Sequence, residues 1–172
     1  VEKYFRGLGK DICYPYEHRN KCNSGSIEDL CLACQIFGSQ QIGSHFLISD
    51  AILQDTDEYP FPGIKIKPGN AINRITGVAQ YGALYQVETI QPGGFFKFSL
   101  QINNIDLQDR SDDLSKAILF LLQELKDGWV QVGGKRSSGL GQIELVKAQV
   151  KEIRPENLEN LDFNTYPLKE LL

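Results

Sequence analysis

A chain of 172 residues and 19.3 kDa, 41% hydrophobic, has apolar side chains enough for one compact domain or part of a larger one. Eighteen basic against 22 acidic residues give a net charge of -4 and a pI near 5.2, which excludes a globally basic nucleic-acid glove but not local basic strips. No apolar run nears the roughly 20 residues of a membrane helix, and no charged-then-apolar leader argues for secretion, so a cytoplasmic location is expected.

Val1, Tyr4, Phe5 and Leu8 fall at helical spacing, and Gly9 is placed to stop the helix. The chain is therefore expected to open on the tail of a helix that began earlier. With Val at position 1, that reads as a fragment boundary, and the missing N-terminal segment of the same domain becomes an expected partner.

All four cysteines fall within 22 residues: Cys13, Cys22, Cys31 and Cys34, spaced C-x8-C-x8-C-x2-C. Two thiolates two residues apart bite one metal ion, and two more complete a tetrahedron around zinc. The cluster predicts a structural Zn2+ in a loop over 11–37, with His18 able to replace one of the wider-spaced cysteines. Two disulfides are the alternative, but they need an oxidising compartment.

Ser44–Leu53 reads as a strand entering a turn. In Gly63–Pro68, Ile64 and Ile66 alternate with Lys65 and Lys67, as in a half-buried strand with a basic outer face. Residues 70–93 predict a projecting hairpin. Phe96, Phe98, Leu100 and Ile102 alternate with polar residues as one strand. Ser111 is the expected N-cap of a helix whose apolar face runs through Leu114, Ala117, Ile118, Leu121, Leu122 and Leu125, with Gly128 as its stop. A Gly-rich loop over 133–141 and a strand from Gln142 to about Val150 follow, and 155–172 reads as an acidic tail or docking segment. This order suits a single ferredoxin-like α+β domain over 1–154, lacking its first strand and most of its first helix.

Gly133-Gly134-Lys135-Arg136-Ser137-Ser138-Gly139-Leu140-Gly141 combines four glycines with two cations and two hydroxyls. Glycine lets backbone N–H groups approach phosphate without a Cβ between them. It is no Walker loop: one residue too many separates Gly128 from Lys135, and Arg136 stands where Ser or Thr would hold magnesium. A tight turn with exposed cations is the plainer reading.

The stretch GKRSSGLGQIEL resembles the Gly-rich signature of the RAMP superfamily in CRISPR effector complexes. CLACQIFGSQ and SHFLISDA are similar to the cysteine-pair segment and following strand of type III backbone subunits. IKPGNAINRITGVAQYGALYQVETIQPGGFFKFSL resembles their run from a basic strand through a thumb into the next strand. Together these cover about residues 5–150. The resemblance implies a modified RRM-like fold that stacks with neighbouring RAMP subunits along a CRISPR guide RNA, in antiviral defence. The implied RNA contacts are the cations Lys65, Lys67 and Arg74, with Asn73, and the loop residues Gly133, Gly134, Lys135, Arg136, Ser137 and Ser138. In the thumb, Tyr81 and Leu84 are expected to wedge into the guide–target RNA duplex, with Arg74 gripping the backbone at its root. Local charge agrees: 64–76 hold three cations and no acid, and 133–154 hold five cations against two acids.

The family's opening strand and its G-S-S-x-(K/R)-G-x-x-R type segment are absent, so no position maps onto the Asp that cuts target RNA in some members. Asp50, Asp55 and Asp57 read as solvated surface charge, and no catalytic residue is assigned. The competing function is a guide-RNA-processing endonuclease of the same superfamily, for which His18 and His45 are the histidines present. A nucleotide-binding enzyme is disfavoured by the failed Walker match.

Overall fold

In a computed structural model that describes residues 6–7, 9–13 and 22–172, the chain is a mixed α/β protein with paired antiparallel strands. Among the described residues, the complete α-helices are α1 (Leu32–Phe37) and α2 (Asp113–Lys126). The strands are β1 (Phe46–Ile48), β2 (Ile52–Leu53), β3 (Ile64–Ile72), β4 (Ala79–Ile90), β5 (Phe96–Lys97), β6 (Leu100–Ile102), β7 (Val130–Gln131), β8 (Gln142–Ile143), β9 (Gln149–Glu152) and β10 (Asn164–Pro167). They pair as β1 with β6 and, antiparallel, β2 with β5, β3 with β4, β7 with β8 and β9 with β10. The chain divides into two compact units, one of 1–47 with 102–172 and one of 48–101. The expected helix tail at Val1, Tyr4, Phe5 and Leu8 lies outside the described residues, as does His18.

The first unit is organised by α2. Asp112 caps it: its extended backbone turns its carboxylate onto the N–H of Ser115 at 2.9 Å and the Ser115 hydroxyl at 2.8 Å. Ser111, the expected cap, instead donates its hydroxyl to Asp109 at 2.6 Å. The longer carboxylate reaches the helix N–H and adds negative charge at the positive helix end. Asp112→Ala should cost about 1–2 kcal/mol, read as a lower urea midpoint at unchanged m-value; no shift would remove Asp112 as the cap. At the other end, Trp129 N–H reaches Glu124 O at 2.9 Å and Gly128 N–H reaches Leu125 O at 3.4 Å, with Gly128 at φ 75°. That is the Schellman stop expected of a glycine at this place.

The helix buries Ala117, Ile118, Leu119 and Leu122. Leu30 and Ile36 of the cysteine segment are also buried, and α1 packs against α2. Residues 155–172, expected as an acidic tail or docking segment, pack on their own chain. β10 pairs with β9 from Asn164↔Glu152 to Pro167↔Gln149, and Leu168 and Leu171 enter the core.

Two long strands expected from alternation are broken, each for a visible reason. Between β5 and β6, the Ser49 hydroxyl takes the Ser99 N–H at 2.8 Å, so a side chain interrupts the ladder. After β8 the chain turns toward the helix end, where Leu145 N–H donates to Leu125 O at 3.2 Å, and resumes only at β9. Ser44–Leu53 likewise divides into β1 and β2.

In the second unit, β3 and β4 form one long hairpin in register from Ile64↔Ile90 to Asn70↔Leu84, with an irregularity before Ile72↔Ala79. Nine residues of β3 make it about 30 Å long. Ile64 and Ile66, expected half-buried, are 60% and 54% exposed. A two-stranded ribbon has no second layer of its own to cover them.

Candidate metal centre and nucleic-acid interface

The cysteine loop brings its four thiols together. The sulfurs of Cys13, Cys22, Cys31 and Cys34 all lie within 4.8 Å of one another, and none is in a disulfide. Cys13 Sγ is 3.4 Å from Cys34 Sγ, and Cys31 N–H donates to Cys22 Sγ at 3.2 Å. A tetrahedral thiolate site with metal–sulfur bonds of about 2.3 Å has sulfur–sulfur edges of about 3.8 Å, so the donor set fits a metal ion. Cys31 caps α1 and Cys34 stands in its first turn, which puts both sulfurs on one side; Leu30 and Ile36, buried, anchor this segment to the core.

Local fields differ among the thiols. Burial works to raise Cys31, but N–H groups of Cys13 and Cys34 and the neighbouring thiols outweigh it and bring it down to about 7. Burial, and then the thiols of Cys13 and Cys31, push Cys34 upward; burial also leads the rise at Cys22. Thiols this close compete for negative charge among themselves, and a bound cation removes that conflict by favouring all four thiolates.

The Gly-rich loop joins β7 to β8. Its pedestal is the pairing Val130↔Ile143 and Gln131↔Gln142, extended by Val132 N–H to Gly141 O at 2.8 Å and braced by Gln142 Nε2 to Gly128 O at 2.9 Å. A Cβ at Gly141 would stand 1.9 Å from Val132 O, and its φ is 83°. Gly141→Ala should therefore open the loop's base, with a loss of about 3 kcal/mol or more in chemical unfolding; a neutral substitution would show that the strands need not approach there. Above the pedestal, Arg136–Ser138 make one 3-10 turn, closed by Gly139 N–H to Arg136 O at 2.9 Å. Lys135 enters that turn in the left-handed region, φ 58° and ψ 28°. Such a conformation costs a non-glycine residue roughly 1–2 kcal/mol. Gly133, Gly134, Lys135, Arg136, Ser137 and Ser138 are all exposed.

At the hairpin tip, Asn73 builds the turn: its Oδ1 accepts the N–H groups of Ile75 at 2.9 Å and Thr76 at 3.2 Å. Arg74 lies in that tip turn and not, as expected, at the hairpin's root, because β3 runs on to Ile72. Tyr81 is fully exposed and Leu84 is 74% exposed, both on β4. Ile75, at 95% exposure, was missed by the sequence reading; an isoleucine within the charged and polar turn N-R-I-T-G gave its one signal. Lys65 and Lys67 are exposed on β3. Trp129, immediately before β7, is exposed.

Two of the remaining titratable candidates, Asp55 and His45, have structural partners. Asp55 Oδ1 accepts Phe61 N–H at 3.1 Å, closing a turn, and His45 Nδ1 lies 2.9 Å from Asn103 O. A carbonyl can only accept, so that ring nitrogen carries the hydrogen.

Residues 1–144 match the description of the RAMP superfamily, and the chain belongs to that superfamily. Beyond the family, it is similar to the CRISPR system Cms endoribonuclease Csm3 of Methanocaldococcus jannaschii, with 29% identity over 119 residues. The match covers 66% of this chain and 46% of the relative, so the chain spans about half the length of the relative it matches. Among the described residues, no helix is long and apolar enough to cross a membrane.

Proposed function

We propose that this chain is a guide-RNA-binding backbone module of a type III CRISPR effector complex, working in the cytoplasm in antiviral defence. The observation that supports this best is the loop at 133–141, which holds two cations and two hydroxyls exposed on a braced pedestal in a RAMP superfamily chain. Lys135, Arg136, Ser137 and Ser138 hold guide phosphates, and N–H groups of Gly133 and Gly134 assist. Lys65 and Lys67 add charge along β3. Asn73 shapes the hairpin tip, from which Arg74 reaches backbone phosphate. Tyr81 and Leu84 enter the guide–target duplex and displace a nucleotide, since a base face is apolar and unstacking a step costs a few kcal/mol. The cysteines hold one structural zinc. The module takes a ferredoxin-like, RRM-like fold and stacks against other RAMP subunits.

The relative is named an endoribonuclease, which favours keeping a second reading: a guide-processing nuclease. Incubation of the chain alone with a CRISPR repeat RNA separates the two. Tight, salt-sensitive binding without cleavage is the expected result. Cleavage without added partners would establish the processing enzyme instead.

A further inference from the structure

The hairpin's two faces differ in chemistry, and only one suits a polyanion. Directly paired residues of antiparallel strands share a face. Ile64, Ile66 and Ile90 therefore lie on one side, with Glu88 opposite Ile66. Lys65, Lys67 and Gly69 lie on the other, opposite Thr89, Val87 and Tyr85. The second face carries two cations and no acid along its regular register. Lys65 and Lys67 stand about 6.6 Å apart along the strand.

Tyr85 occupies a particular seat on that face. A Cβ at Gly69 would lie 2.4 Å from Tyr85 Cζ and 2.6 Å from both Cε2 and Oη. The ring thus lies across the space that any larger residue at position 69 would fill. Its place is fixed by the strand beneath, while 44% of the residue stays exposed. A tyrosine held down in this way loses little freedom on meeting a base, and it lies next to Lys67 in the pattern of the face.

We infer that Tyr85, seated on Gly69, is a base-stacking platform for single-stranded RNA whose phosphates are held by Lys65 and Lys67. Leu84, the last residue of the regular register and on the face opposite Tyr85, and Tyr81, beyond it toward the tip, act on the duplex; Tyr85 takes an unpaired base at the hairpin's middle. This inference rests on the proposed RNA-binding function and adds to it a residue and a ligand form. Aromatic stacking is sequence-tolerant because every base has a π-face, so the platform should accept any base.

The test uses the intact chain and a short single-stranded oligouridylate. Tyr85→Leu should weaken binding about 5- to 150-fold without altering the salt slope, whereas Tyr85→Phe should stay within about threefold. Lys65→Ala and Lys67→Ala should each lower the slope by about 0.7. A second measurement needs no variant: the same oligonucleotide carrying 5-iodouridine, irradiated on the unaltered chain, should crosslink to Tyr85 by tandem mass spectrometry. Unchanged affinity for Tyr85→Leu, or crosslinks confined to Tyr81 or residues 133–141, would overturn the platform and leave the proposed function standing. Failure of the unaltered chain to bind RNA would overturn both.

Discussion

Removal of metal from the cysteine cluster should destabilise the unit of 1–47 and 102–172 by about 5 kcal/mol or more, on the scale of zinc's contribution to small zinc-dependent folds. The size follows from what the cluster is tied to. Cys31 caps α1 and Cys34 stands in its first turn; Ile36 of that helix is fully buried, and Leu30 beside Cys31 is buried too. Without a cation, thiols within 4.8 Å of one another cannot all stay ionised; they take up protons, the bonds that close the loop are lost, and the segment that places Leu30 and Ile36 is freed. Elemental analysis should find one zinc per chain, and chelation or Cys34→Ser should lower the melting temperature in step with its loss. A metal-free chain with the same melting temperature in chelator would refute the site. Retention of full metal by Cys13→Ser would point to three thiolates, with or without His18.

Arg136→Ala combined with Lys135→Gly should reduce guide-RNA affinity equally for all sequences and lower the salt slope by about 1.4, the value for two phosphate contacts on a single strand. The choice of glycine at 135 separates folding from binding. Lys135 pays for a left-handed backbone at φ 58°, which glycine adopts without strain, so Lys135→Gly should leave stability unchanged or slightly raised. A variant that folds at least as well and binds worse cannot be explained as a damaged turn. Equal affinity and slope in the double variant would reduce the loop to a turn with solvated cations.

Residues whose role depends on near neighbours in sequence were the legible ones. The cysteine cluster, the helix from Asp113 to Lys126 and its glycine stop follow from spacing and periodicity, whereas the hairpin expected over 70–93 takes in the strand from Ile64 and ends its ladder at Ile90. What escaped was set mostly by distant partners, the helix cap being a local exception. Ser111 and Asp112 are both good caps by type, and Ser111 lost because Asp109 captured its hydroxyl. The alternation from Phe96 to Ile102 says nothing of Ser49, whose hydroxyl cuts the strand. The acidic composition of 155–172 concealed Leu168 and Leu171, which find their core only because β10 pairs with β9. Along the hairpin, Arg74 belongs to the tip because the ladder extends four residues beyond the expected strand end at Pro68.

The most direct test is a structure of the assembled complex holding guide and target RNA. The proposed function predicts guide phosphates within hydrogen-bond reach of residues 133–138, with the guide–target duplex interrupted at the hairpin and Tyr81 or Leu84 filling the gap. An unbroken duplex running past the hairpin, with no phosphate near Lys135 or Arg136, would contradict it.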